Sequence, residues 1–504
     1  MKNFSKIISL LIVFALSLTI LAGCAQDELL LLNALCKQPD INSYESKTEV
    51  SVKLTSEGLN GDDKESFEQI ASMLNGMKIA VNQKATGNKE KTLAKTQTDV
   101  NVSMDGISSE ITAWSDTDLT GDTPKIKQVV KIPKLLFDIL PIYSDSDMTS
   151  KEYLVIDMGE VLSKGNSEKI NLFSKEYLEY SRNLTPKFID FIKAYAREFS
   201  PGFSIVTSKG TLTHGDQTVT VYNLKLDDAN FKKLLSNTVT NFVQSESAMN
   251  FSKNLILDSI RLSDLPYRER LRAQGEINKS FDEFKTDLPE FLKNWEKIMS
   301  VLNDVKILGD KGINIEFLIN NDGFIVRQKG TMDFVINPKE INTALEKYTS
   351  LANEDYIADE IKDEGTVKFE INFNTEITKI NKNVVVDIPE VTPENSLNFM
   401  ELVGPVLNFS TARMEGQFEP DTTPPDAPTV NKVLQTSKAV SGNSEAYSVI
   451  TIKKGSTIIG QGMADEEGAF NITIVPLKTK STLTVTATDV YGNESAATTV
   501  SVSS

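Results

Sequence analysis

One histidine, His214, is all the imidazole the chain holds. A Ser-His-Asp arrangement therefore has a single possible base, and that base falls at His214-Gly215-Asp216, where a hairpin turn is expected. Gly442-Asn443-Ser444-Glu445-Ala446 approximates a nucleophile elbow, but it lacks the second glycine and stands between two expected strands instead of a strand and a helix. A zinc site with two imidazoles is excluded within one chain. Asp116, Asp118, Thr120 and Asp122 occupy the odd positions of a calcium loop with Gly121 at the sixth, yet Lys127 stands where the bidentate glutamate belongs. These four are calcium candidates only, and a solvated turn is the expectation. Asp489 and Asn493 are expected to close their own turn, and Asp355, Asp359 and Asp363 repel one another as exposed surface. With 70 acidic side chains, carboxylate pairs are too plentiful to nominate a glycosidase acid and base. No Gly-rich phosphate loop is present. The expectation is a non-catalytic protein without cofactor or metal, whose ligand-binding residues the sequence leaves unassigned.

The two cysteines lead elsewhere. Met1 to Lys6 carries two lysines and no acid, and Ile7 to Ile20 is an apolar run too short for a permanent span. It ends in Leu21-Ala22-Gly23-Cys24, and this stretch resembles the bacterial lipoprotein signal family. The resemblance implies cleavage before Cys24 and a diacylglycerol on its sulfur. Buried acyl chains contribute about 0.8 kcal/mol per CH₂, so the membrane is the expected partner and the extracellular face of the cell membrane the expected location. Without residues 1–23 the chain has 51 basic and 70 acidic side chains, a net charge of −19. Such acidity repels nucleic acid. Cys36 is then the only other thiol, which excludes an intrachain disulfide framework.

The elements that must position any site follow from periodicity. Asp27 to Leu35, ahead of Pro39, reads as a short leading helix. From Tyr44 the period becomes two: Val50, Val52 and Leu54, then Val100, Val102 and Met104, then Ile107 to Ile111 across Asp105-Gly106, a hairpin connection. Gln128 to Ile132 and Tyr153 to Asp157 extend the sheet. Asn171 to Phe199 is helical, with Pro186 read as the start of a second helix. Hairpins are expected at Thr211 to Leu226 and at Ile313 to Ile336, separated by a helical region that offers Phe291, Trp295, Ile298 and Leu302 to the core. Asn337-Pro338 starts a short helix, and Val367 to Phe373 alternate as a strand. Val385-Val386-Asp387-Ile388-Pro389 echoes Val129-Val130-Lys131-Ile132-Pro133 and reads as a recurring strand exit, with an internal duplication as the alternative.

Some twelve strands interrupted by amphipathic helices, behind such a signal, resemble the LolA/LppX-like lipoproteins over roughly residues 27 to 400. The resemblance implies an α+β body, a curved antiparallel half-barrel-like sheet covered by helices, and a cavity able to hold acyl chains. A filled core is the competing expectation. Beyond the proline-rich Asp421 to Pro428, short β-branched strands recur. Val440-Ser441-Gly442, Ala464 to Phe470 and Leu483 to Ser495 resemble the bacterial Ig-like repeat family, implying an all-β Ig-like sandwich with a spacer or adhesive role. The expected organisation is a signal at 1–23, a lipidated N-terminus and helix at 24–43, a body at 44–400, a linker at 401–428 and the Ig-like domain at 429–504. The expected function is binding or adhesion at the cell surface, toward a cell-wall, protein or lipid ligand. A carrier of hydrophobic ligands is the alternative.

Overall fold

A computed structural model describes residues 26–104, 107–121, 124–132, 151–159, 175–199, 202–263, 265–352, 365–399, 423–455, 457–465, 467–474, 477, 481–489 and 493–503. The chain divides into two compact units, residues 1–262 with 277–407, and residues 263–276 with 408–504.

The first unit is built on a twelve-stranded sheet. Its strands are β1 (Ser43–Glu57), β2 (Lys78–Gly87), β3 (Leu93–Met104), β4 (Ile107–Asp118), β5 (Lys125–Lys131), β6 (Tyr153–Asp157), β7 (Val206–His214), β8 (Gln217–Leu226), β9 (Leu308–Asn320), β10 (Ile325–Ile336), β11 (Thr366–Thr378) and β12 (Ser396–Asn398). The order is β12-β6-β5-β4-β3-β2-β1-β11-β10-β9-β8-β7. All neighbours are antiparallel except β12 and β6. Two meanders, β1 to β6 and β7 to β11, are thus joined along β1 and β11, and the sheet is open, with β12 and β7 as its edges.

Side-chain alternation gives this sheet two unlike faces. In β1, Glu45, Lys47, Glu49, Ser51 and Lys53 share one face, and Val50, Val52 and Leu54 the other. The apolar face is covered unevenly. The helices are α1 (Gln26–Lys37), α2 (Gly61–Gly76), α3 (Lys175–Glu198), α4 (Asp228–Gln244), α5 (Glu246–Leu262), α6 (Tyr267–Leu302) and α7 (Pro338–Ala352). One core joins Leu31 and Leu32 of α1, Ile192 and Tyr195 of α3, Leu234 and Phe242 of α4, Met249 of α5 and Phe284 and Trp295 of α6 to Tyr222, Leu224, Phe317 and Ile319 of β8 and β9. On the far half, Val50, Val52, Val100, Val102, Ile371 and Phe373 are only half-buried. Among the described residues, the helices of this core lie over the β7 to β10 end of the sheet. Of the described helices, α2, which the sequence reading missed, packs on β1 and β3. Its Asn75 accepts from the Leu54 N–H at 2.6 Å and donates to the Leu54 carbonyl at 2.9 Å, standing in for a strand where β2 has ended.

Three local expectations need correction. Helix α3 runs through Pro186 without a break. An internal proline costs roughly 3 kcal/mol, but beyond it Phe191, Ile192, Tyr195 and Ala196 are buried, and each large apolar side chain so placed contributes about 1.5–3 kcal/mol. Ile298 is 38% exposed although Trp295, one turn away, is 6% exposed. Residues 385–389 form no strand. They belong to the connection from β11 to β12, which must pass six intervening strands, about 34 Å at ~4.8 Å per step. Asp105, Gly106 and Asp355 to Asp363 lie outside the described residues.

The turn between β8 and α4 is held by a charged clasp. Asp227 caps α4, accepting from the Asn230 N–H at 2.8 Å. Asp228 Oδ1 accepts from the N–H groups of Ile307 and Leu308, each at 2.8 Å, and Oδ2 meets the buried Lys232 ammonium at 2.7 Å. Burial pushes the Asp228 carboxyl up, but these donors outweigh it and hold the group below its ordinary value of 3.8.

In the second unit, β13 (Thr429–Val430), β14 (Ala439–Asn443) and β17 (Ala469–Thr473) form one sheet, and β16 (Thr457–Met463), β15 (Val449–Lys454), β18 (Thr482–Thr488) and β19 (Thr498–Ser501) the other. Val440, Phe470 and Ile472 meet Ile450, Ile452, Leu483 and Val485 between them, a sandwich core.

Asp228→Ala should destabilise the first unit by about 3 kcal/mol, because it strands a buried ammonium. Lys232→Met should cost less, since Asp228 keeps both backbone donors. A depressed carboxyl stabilises above its unfolded value, and that contribution is lost as pH falls through the folded one. Urea titration should therefore show the Asp228→Ala deficit shrinking below pH 3.8, and a deficit that persists unchanged in acid would disprove the clasp.

Candidate binding trough

On the polar face of the sheet an open trough of about 740 Å³ crosses seven consecutive strands, β3-β2-β1-β11-β10-β9-β8. Its lining falls into two registered rows. In one, Asn101 pairs with Ala80, Ala80 with Glu49, and Glu49 with Asn374. Lys329, Glu316 and Asn223 continue it. In the other, two residues along each strand, Ser103, Lys78 and Ser51 lead to Asn372, Thr331 and Asn314. Strand spacing sets about 4.8 Å between neighbours in a row and about 7 Å between rows.

Several of these groups fix one another. Asn223 Nδ2 donates to Asn314 Oδ1 at 2.9 Å, Thr331 Oγ1 to Asn372 Oδ1 at 2.7 Å, and Arg327 Nε to Asn374 Oδ1 at 2.9 Å. Asn372 Nδ2 donates to Glu370 Oε1 at 2.9 Å, and Lys311 pairs with Glu370 at 2.7 Å, which holds the Glu370 carboxyl below its ordinary range. The Asn372 carboxamide is thus engaged at both its oxygen and its nitrogen, and those of Asn223, Asn314 and Asn374 at one. Gly330 serves the opposite face, where a Cβ would lie 2.8 Å from the Phe373 ring. The trough carries Lys78 and Lys329 against Glu49 and Glu316, a net charge of zero in a chain of net −17. A smaller hollow of about 240 Å³, reaching Glu45, Lys47 and Asp99, continues along the same face.

The sequence-nominated groups do not converge with this trough. Cys24 and Asp122 lie outside the described residues. Asp116 stands in β4 opposite Lys127 and 3.4 Å from Lys95, and Asp118 accepts from the Thr120 N–H and Oγ1 at 2.9 and 2.6 Å. Those bonds hold the Asp118 carboxyl below its ordinary range. Among the described residues no three His, Cys, Asp or Glu groups gather as metal ligands. His214 closes the β7–β8 hairpin by pairing with Gln217, far in sequence from Ser444. Cys36 packs against the helical core, where burial pushes its thiol up despite the opposing pull of Lys193. The five trough asparagines were visible in the sequence only as outward positions of separate strands.

Helix α1 is pinned at both ends. Ser204 Oγ and the N–H groups of Ile205 and Val206 donate to Glu28 Oε1 at 2.7, 3.0 and 3.3 Å, and the Ser208 N–H donates to Asp27 at 2.8 Å. At the other end Lys37 donates to the Asp322 carbonyl and lies 4.8 Å from the centre of the Phe324 ring. With Leu31 2% and Leu32 3% exposed, α1 is part of the body and not a leader to it.

A family model for the bacterial Ig domain matches residues 424–504. The segment is a bacterial Ig-like domain. Among the curated proteins none matches the chain. The solved structures that match it include two of slight resemblance. One, titled as the structure of a protease, is 18% identical over 16% of this chain and 18% of that one, with a TM-score of 0.14. The other, the BSP domain of a biofilm-associated protein, is 11% identical over 39% of this chain and 49% of that one, with a TM-score of 0.15. The chain spans less than half of either. In the Ig-like domain, Gly442 lies in β14, where a Cβ would stand 2.0 Å from the Thr429 carbonyl oxygen. Its glycine serves strand packing and not a nucleophile elbow. Asp489 accepts from the Asn493 N–H and Nδ2, each at 2.8 Å, closing its own turn.

Glu28→Ala should remove one acceptor shared by three donors and cost about 2 kcal/mol. Hydrogen exchange should then show the amides of Ile205 and Val206 losing protection ahead of the rest of the sheet. Unchanged protection at both would mean that α1 is held by its leucines alone.

Proposed function

We propose that the protein is a non-catalytic, lipid-anchored binding protein of the extracellular face of the cell membrane, with its body as the ligand-contacting part and the Ig-like domain as spacer or attachment unit. The open polar trough is the observation that carries this reading. It offers a ligand a large registered surface. The bacterial Ig-like domain supports a place outside the cytoplasm. Docking of α1 supports close attachment: Gln26 is the second residue after Cys24, so at most about 7 Å of chain separates a lipidated sulfur from a helix built into the body. On this reading the body rests against the membrane surface. Cys24→Ser should shift the protein from the membrane fraction into soluble extracellular material, with the wild type accessible to antibody on intact cells. Retention of Cys24→Ser in the membrane, or a wild type found only in the cytosol, would refute the anchor.

A second reading, a carrier of hydrophobic ligands, is favoured by the half-buried stripe of Val50, Val52, Val100, Val102, Ile371 and Phe373 on the opposite face. Native mass spectrometry of gently purified Cys24→Ser protein should then show added masses of extracted lipid that Val100→Glu abolishes. A single bare-chain mass would argue against a carrier.

A further inference from the structure

We infer that the polar trough binds a neutral, linear polysaccharide laid across the strands. The inference rests on the binding role proposed above and names the ligand class of the same site.

Length and direction come first. Seven strands at ~4.8 Å give a trough about 29 Å long, running perpendicular to the strands. Every backbone group in its floor is already paired in the sheet, so recognition falls to side chains. These repeat at the strand spacing, close to the length of one pyranose unit, so successive sugars of an extended glycan meet successive strands. An extended peptide places same-side side chains every ~6.7 Å and drifts out of step with that lattice. The trough also lacks the deep apolar pocket in which a peptide would seat an aromatic or aliphatic anchor.

The chemistry of the rows agrees. Asn101, Asn223, Asn314, Asn372 and Asn374 each carry a donor and an acceptor, as does every sugar hydroxyl, and Ser51 and Thr331 add the same pairing. The existing bonds among Asn223, Asn314, Thr331 and Asn372 pre-orient those groups, which lowers the ordering cost on binding. Two lysines against two glutamates leave the trough lining without net charge to attract a charged polymer.

The test uses the full mature chain carrying Cys24→Ser, presented with immobilised cellulose-, xylan- and chitin-type oligosaccharides, charged uronic-acid oligosaccharides and a random peptide array. Binding to at least one neutral linear series is expected, with affinity little changed between about 0.1 and 1 M salt, since a neutral ligand is not screened. Asn101→Ala and Asn314→Ala should each weaken it at least about tenfold, and Ala80→Trp, which fills the floor, should abolish it. Lys209→Ala on the edge strand should leave it unchanged. Circular dichroism melts matching the parent exclude unfolding as the cause, and Asn314→Gln should recover part of the loss. No neutral glycan bound, binding only to charged glycans that fades with salt, binding to peptides instead, or trough variants without effect would each overturn the inference. A protein anchored at the surface that ignores every neutral glycan refutes the trough assignment alone, whereas a glycan binder retained in the cytosol refutes only the anchoring.

Discussion

Residues facing each other across an antiparallel ladder share a face of the sheet, and the body depends on that rule holding across its strands. A slip of one residue in β1 would exchange Glu49 and Ser51 for Val50 and Val52, joining a hydrophobic stripe to the polar trough and opening the opposite face. The register is fixed from the middle outward. Thirteen residues of β1 pair with β11 without a bulge, and nine with β2. The irregularities fall in the pairings of β9 with β10 and of β7 with β8, on the side where helices pack against the sheet.

From that constraint follows an asymmetry. The apolar face is deeply buried at one end, where Leu224 and Leu234 are each 1% exposed, and half-buried at the other. The polar face needs no cover, because its side chains bond one another or face water. Charge pairs on it are the exposed Lys47 with Glu49 at 2.8 Å, which adds little to stability, and the half-buried Arg327 with Glu376 at 3.6 Å. What they contribute is an order of polar groups in two dimensions, and a surface that offers binding without costing the core. Helix α1 enters the same scheme. Its carboxylates take up backbone N–H groups near the start of the edge strand β7, where an unpaired edge would otherwise invite another strand, and its leucines complete the core.

Much of the architecture was legible because period and turn chemistry are local. The alternation around Val50, Val100, Ile315 and Phe369 located strands, Asp105-Gly106 and Asn320 to Gly323 located hairpins, and the recurring β-branched runs with Gly and Asn turns located the Ig-like domain. Local rules failed where tertiary contacts outweighed them. Pro186 reads as a helix boundary until the buried aromatics on its far side are counted. Val385 to Pro389 reads as a strand exit until it proves to lie in the connection that carries the chain from β11 past six strands to β12.

By itself the sequence determined the address in Leu21 to Cys24 as an expectation and the alternation of polar and apolar positions, since each of these is a property of neighbours along the chain. Only the tertiary structure decided that Asn101, Asn223, Asn314, Asn372 and Asn374, scattered over more than half the chain, stand on one surface. Strand order and register are set by pairing between distant segments, β1 with β11 above all, and no local pattern encodes which strand will lie beside which.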